Sequence, residues 1–282
     1  MPETPVRFFL VPEWQGSPSS RAMRLIDGAE ALREDLPASA TVEIPVPMEA
    51  GDSLGTPVQR LGSVLRVRDA LASALAGTDA PAIVLGGDCA TDFAGVAHAT
   101  ATHGSEQVAV LWLDAHPDFQ HPATSPSGAA SGMVLRTLVG DGEAELVPAN
   151  PVDPTRVVLA GVRSSDPSEI AELATAGIVP LPVSATPEQV REALLATGAS
   201  RVYVHVDLDV LDPAEFGAVH APVPFGLTLS HLLDTIRVAV AALPLAGAAI
   251  CEFAPADAAA AEDTRPTVLR VLGALTSAQA AA

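Results

Sequence analysis

Val108-Ala109-Val110-Leu111-Trp112-Leu113-Asp114-Ala115-His116-Pro117-Asp118 is an apolar run that ends abruptly in three potential ligands. Consecutive apolar residues without polar alternation suit a strand covered on both faces, as in a parallel sheet. Beyond it, two carboxylates and an imidazole occupy alternate positions. While the chain stays extended, period-two alternation turns their side chains the same way. The result is a plausible half-shell for a divalent cation. By itself, the pattern also fits an aspartate helix cap and a satisfied histidine at a strand–loop junction.

Working outward, similar β-rich runs occur at residues 6–11, 41–46, 82–85, 156–160, 178–182, 201–206 and 248–253. Helix-compatible stretches at 63–75, 187–195, 229–242 and 265–274 lie between or after them. Strand–helix alternation predicts a mainly parallel α/β sheet with right-handed crossovers. The Pro- and Gly-rich stretches are short, and no repeat or long linker divides the chain, so a single domain over residues 1–282 is expected. In open parallel sheets, ligands bind beyond the carboxyl ends of the strands.

The second such strand end is Val202-Tyr203-Val204-His205-Val206-Asp207-Leu208-Asp209-Val210-Leu211-Asp212-Pro213. Two buried aspartates this close repel unless a cation neutralises them. Asp212, before proline, reads as a turn device. Together the two strand ends offer four carboxylates and a histidine, donors suited to manganese. A third segment, Ala82-Ile83-Val84-Leu85-Gly86-Gly87-Asp88-Cys89, has glycines that permit a sharp turn. Cys89 read alone also fits a small buried residue.

The 282-residue chain is 49% hydrophobic, enough for a sizeable core, and its formal net charge of -19 argues against nucleic acid. Every basic side chain is an arginine. Cys89 and Cys251 are the two cysteines, too few for a disulfide framework. Residues 1–10 lack the features of a signal peptide, and no apolar run approaches the roughly 20 residues of a membrane span. A cytoplasmic location without membrane partners is expected.

Taken as a set, the three segments resemble the ureohydrolase (arginase–agmatinase) signatures Gly-Gly-Asp-His, Asp-Ala-His-x-Asp and Asp-x-Asp-x-x-Asp-Pro. Further matches are Ser125-Pro126-Ser127-Gly128, Gly161-Val162-Arg163 with Asp166-Pro167, and Glu252 in Cys251-Glu252-Phe253-Ala254-Pro255. The likeness runs from about residue 85 to 255 and leaves out most of the first quarter. It implies a three-layer α/β/α fold around an eight-stranded, mainly parallel sheet, assembled as trimers or hexamers. It also implies two divalent cations, Mn²⁺ by family habit, held by Asp114, His116, Asp118, Asp207, Asp209 and the residue at Cys89. The reaction implied is hydrolysis of a guanidino or amidino C–N bond in a small molecule. Asp118 would relay the proton of the attacking water. Glu252 would pair with the guanidinium. Ser127 and Asp166 would lie near the amino-acid end of an arginine-like substrate, with Glu169 assisting.

The chain departs from that pattern. Cys89 stands where the family has an imidazole ligand, so the first cation becomes a weaker Lewis acid and softer ions compete better. Ser131 and Ala129 replace the histidine and asparagine of Ser-Gly-Asn-x-His-Gly, and Gln120 replaces an asparagine that faces the substrate carboxylate. Serine is a poor acid–base group near neutral pH, which leaves His220 as a replacement proton shuttle or an ordinary loop residue. The departures resemble the subgroup of hydroxyarginine amidinohydrolases of D-cycloserine biosynthesis. That likeness implies an N-hydroxyarginine-type substrate, releasing hydroxyurea in place of urea. The alternatives are agmatine, another guanidino acid or formimidoylglutamate as substrate, or a catalytically impaired metal-binding protein of the same fold.

Overall fold

In a computed structural model the described residues are 6–78 and 80–277. Part of the amino-terminal stretch considered above, residues 1–5, and the last residues of the expected domain, 278–282, lie outside them.

The strands are β1 (Arg7–Leu10), β2 (Thr41–Glu43), β3 (Ala82–Leu85), β4 (Val108–Leu113), β5 (Val157–Ala160), β6 (Arg201–Asp207) and β7 (Leu245–Cys251). They form one sheet in the order β2-β1-β3-β7-β6-β4-β5, and every pairing is parallel. The helices are α1 (Arg24–Leu32), α2 (Leu61–Leu75), α3 (Asp92–His103), α4 (Val134–Leu138), α5 (Pro167–Ala176), α6 (Pro187–Ala196), α7 (Leu229–Ala242) and α8 (Ala258–Thr276).

Strand side chains alternate between two apolar layers. Ala109, Leu111 and Leu113 of β4 join the core shared with α1, α6, α7 and α8. Val108, Val110 and Trp112 join the core of α2, α3 and α4 on the other face. The expected three-layer α/β/α arrangement is therefore present, and burial on both faces explains why β4 and β7 carry no polar alternation.

Two expectations change. Residues 178–182 do not form an eighth strand. Leu181 makes a single parallel bridge to Ala160, its amide donating to the Leu159 carbonyl at 2.8 Å. Pro180 and Pro182 flank it, and a proline has no N–H to extend a ladder. The described sheet thus has seven strands. The last helix begins at Ala258, well before residue 265, because Asp257 caps it by accepting from the Ala260 amide at 2.9 Å. Pro266 lies inside that helix.

The turn after β3 needs its glycines. Gly87 has φ +79°, and a Cβ there would come 2.7 Å from the Val11 carbonyl oxygen. This close approach sets Asp88 and Cys89 at the carboxyl end of the sheet.

Candidate metal centre and substrate cavity

Four neighbouring strands, β3, β7, β6 and β4, end on the same side of the sheet, and the metal-type donors lie at or just past those ends. The local reason differs from the sequence expectation. β4 stops at Leu113, and the Asp114 Oδ1 accepts the His116 amide at 2.6 Å, which turns the chain. Asp118 then adopts left-handed backbone, with φ 48°. After β6, Asp207 Oδ1 accepts the Asp209 amide at 2.7 Å, and residues 208–210 form one 3-10 turn. Extended-chain alternation therefore does not aim Asp118 or Asp209. Aspartate-capped turns do.

The groups nevertheless converge. His116 Nδ1 is 3.0 Å from Asp209 Oδ2 and 3.5 Å from Asp114 Oδ1. The Ala115 amide donates to Asp209 Oδ1 at 3.1 Å, joining the two strand ends. The Cys89 thiol donates to Asp207 Oδ2 at 3.3 Å. Two groupings bring one donor atom per residue within 4.8 Å of each other, namely Asp114–His116–Asp209 and Cys89–Asp207–Glu252. A third of the same tightness joins Cys89, Asp114 and Asp118 to His205.

Charge supports a cation fit. Asp114, Asp118, Asp207 and Asp209 are all buried, and Asp118 Oδ2 has no hydrogen-bond partner. Burial, then the neighbouring carboxylates, push Asp207 and Asp118 well above the usual range. The same causes raise Asp209 to about 6, against its hydrogen bonds. Such carboxylates need counter-charge to ionise together. The donor set of oxygen, imidazole and thiol groups fits divalent cations.

Above these groups opens a cavity of about 350 Å³, whose wall includes Gln120, Ser127, Ser131, Glu169, His220 and Glu252. Glu252, just past β7, has φ 66°, and its amide donates to the Gly87 carbonyl at 2.9 Å. Left-handed backbone costs a non-glycine residue roughly 1–3 kcal/mol, and both Asp118 and Glu252 bear it at this site. His220 Nδ1 lies 3.1 Å from Glu252 Oε2 without alignment for a hydrogen bond. Its Nε2 donates to the Arg21 carbonyl at 2.9 Å.

The Gln120 amide is fixed at both ends. Its Nε2 donates to Asp166 Oδ2 at 3.2 Å, and its Oε1 accepts from Ser125 at 2.6 Å. Asp166 is not on the cavity wall. It heads α5, its amide donating to Glu169 Oε2 at 2.8 Å, and its side chain reaches the site through Gln120. Glu169 is the acidic group that faces the cavity from this side.

Sequence reasoning passed over the loop before α1, whose Ser17, Pro18 and Ser19 line the cavity. Nothing periodic marks that loop. It also passed over His205, although His205 and Asp207 occupy alternate positions on β6. The alternation noted at Asp207 and Asp209 belonged one step earlier.

A parallel α/β/α sheet with four aspartates, a histidine and a cysteine beneath a small cavity defines a class of protein suited to divalent cations and a small polar ligand. Residues 21–276 match the arginase family. The chain is 39% identical to the arginase of Agrobacterium fabrum (strain C58 / ATCC 33970) over 165 residues, 54% of this chain and 51% of that protein. The chain spans about half the length of the curated relatives it matches. Its fold superposes on Entamoeba histolytica arginase, crystallised in complex with L-ornithine, with a TM-score of 0.86 at 24% identity, covering 98% and 99% of the two chains. Arginase from Bacillus caldovelox gives a TM-score of 0.79 at 27% identity over 96% and 98%. The chain belongs to the arginase family. Among the described residues no helix is long and apolar enough to cross a membrane.

Proposed function

We propose that the protein is a hydrolase of guanidino or amidino C–N bonds, working with two divalent cations on an arginine-like, N-hydroxylated substrate. The single observation carrying this reading is the convergence of Asp114, His116, Asp118, Asp207 and Asp209 from two strand ends beneath one cavity. Asp114, His116 and Asp209 would hold one cation, and Cys89 with Asp118 the other, with Asp207 beside both. Bound there, divalent cations supply a water acidic enough to attack near neutral pH, and charge stabilisation for the transition state.

The chain's own residues divide the remaining work. Glu252 offers a carboxylate to the guanidinium and so orients its central carbon over the metal centre. Asp118, with a raised pKa and a free oxygen, takes a proton from the attacking water and passes it on. Gln120, with its amide held by Asp166 and Ser125, presents a rigid polar edge to the distal end of the substrate. The same reading takes the whole chain as one ureohydrolase domain, cytoplasmic, with Mn²⁺ among its cations and several copies assembled as in the family.

His220 is the candidate proton donor to the leaving group. Burial lowers its pKa, but Glu252 raises it more, and the net direction is upward from 6.5. An acid must be protonated to donate, so the rate should fall as pH rises through that raised value. His220→Asn is expected to lower kcat by about 10²-fold and to flatten this alkaline limb. Unchanged turnover with an unchanged profile removes His220 from the chemistry.

Substrate choice follows from the departures. With Ser131 in place of a shuttle histidine, a hydroxyguanidine, which is less basic than a guanidine, meets the centre closer to neutrality. Steady-state kcat/KM for N-hydroxyarginine is expected to exceed that for arginine by at least about tenfold, a difference of about 1.4 kcal/mol. Clear preference for arginine, agmatine or formimidoylglutamate in the same panel replaces that substrate. Metal uptake without turnover of any of them favours an impaired binding protein.

A further inference from the structure

β6 carries a histidine that none of the assignments above uses. His205 is fully buried, and its ring stacks on Trp112 of β4 with centroids 3.5 Å apart and planes 6° from parallel. Its Nδ1 is 2.6 Å from Asp92 Oδ2, at the start of α3. The other oxygen of Asp92 accepts the Tyr203 hydroxyl at 2.5 Å. Both ring position and carboxylate are therefore held from behind. A carboxylate acceptor at Nδ1 keeps the hydrogen there and turns the Nε2 lone pair outward, the arrangement that orients metal-binding imidazoles.

Nε2 has no aligned hydrogen-bond partner, and the Cys251 thiol lies beside the ring. Nε2 is 3.8 Å from Asp114 Oδ2, too far for a hydrogen bond, and that oxygen already accepts the Trp112 indole N–H at 3.1 Å. Cys89 Sγ, one oxygen each of Asp114 and Asp118, and a His205 ring nitrogen all lie within 4.8 Å of one another. Asp118 Oδ2 is likewise unpartnered. Two fully buried polar atoms without partners in one such cluster fit the donor shell of a cation.

We infer that His205 supplies the imidazole missing at position 89, binding the first cation through Nε2 together with Cys89, Asp114 and Asp118. The imidazole has moved from the turn after β3 to the strand β6, and a thiolate stands where it was. This inference rests on the metal-centre reading above and refines it. One sulfur, one nitrogen and two carboxylates favour a borderline ion such as Zn²⁺ at this position, while the neighbouring Asp114–His116–Asp209 position, with oxygen and a single nitrogen, suits Mn²⁺.

The test is metal uptake by the full chain, measured by elemental analysis and calorimetry on metal-free protein titrated with Zn²⁺ and with Mn²⁺ separately. Wild type is expected to take up two equivalents, one of them preferring Zn²⁺. His205→Gln should lose the zinc-preferring equivalent, or bind it at least about 10²-fold more weakly, and keep the other within about threefold. Cys89→Ser should weaken the same equivalent. Ring ¹⁵N spectra of the His116→Asn protein read the same contact without altering His205. On adding one equivalent of Zn²⁺, one remaining imidazole should shift at Nε2 while its Nδ1 stays protonated. Two equivalents bound by His205→Gln with wild-type affinities, or no ring shift in the spectra, overturns the His205 assignment and leaves the hydrolase reading standing. A wild-type protein that takes up neither ion overturns both.

Discussion

Asp118→Asn is expected to lower amidino hydrolysis by at least about 10³-fold, more than any other single conservative change at the site. Three losses combine. The amide no longer carries the negative charge that a cation requires. It cannot accept and return the proton of the attacking water, a role worth about 10²-fold or more by itself. The weakened cation also supplies less charge stabilisation. Asparagine is the right probe because it has nearly the shape of aspartate and tolerates the φ of 48° that this position demands. The fold should therefore survive, and a melting temperature at or above wild type for the metal-free proteins, with turnover near background in the presence of metal, would meet the expectation. Turnover within tenfold of wild type would remove Asp118 from the reaction. Gly replacement at Glu252, where φ is 66°, should relieve strain and remove the guanidinium partner together.

The second large effect is on stability. Protein stripped of metal should lose stability steeply as pH rises from about 4 to 7, and protein loaded with cations should not. Burial and the nearby Glu252 raise Asp88 from 3.8 to about 7, and burial with Asp114 raises Asp209 to about 6. Asp118 and Asp207 shift the same way. A carboxyl raised in the folded state contributes stability fully below its unfolded value near 4, and loses it as pH climbs through the folded value. His116, pulled down by burial but raised to about 11 by Asp114 and Asp209, adds the same sign, its contribution fading above 6.5. For Asp88 alone, the change from 3.8 to about 7 corresponds to on the order of 4 kcal/mol. At about 2–4 °C per kcal/mol, the melting temperature of the stripped protein should drop by about 10 °C across this range. Excess divalent cation binds the folded state selectively and should restore it with the logarithm of its free concentration. Thermal melts at several pH values, with and without chelator, measure both curves; parallel curves would mean that no cation balances these carboxylates.

Much of this is legible in the amino-acid sequence. β3, β4 and α7 have the bounds their apolar runs suggested, because burial on both sheet faces leaves an unbroken signature. The aspartates and His116 were identifiable as a set, but for an incomplete reason. Alternation accounts for the side chains up to the strand ends, and beyond them a carboxylate accepting an amide two residues on decides direction. Such capping is local, yet its outcome depends on which turn the chain takes. Asp166 misled because a helix-start residue beside the cavity has the same sequence context as one on its wall. Ser17 and His205 stayed invisible for different reasons. The first lies in a loop without pattern, and the second needed the neighbouring strands β4 and β6 in register, with Trp112 opposite it, before its orphaned nitrogen had meaning.

The proline pair around Leu181 has a consequence for how copies of this chain can associate. With the Leu181 amide already given to Leu159 and the prolines on either side unable to donate, the β5 border is a poor template for another extended segment at this point. Continuous backbone pairing across that border is disfavoured there, so contacts between copies at this edge would draw on side chains from helices and loops.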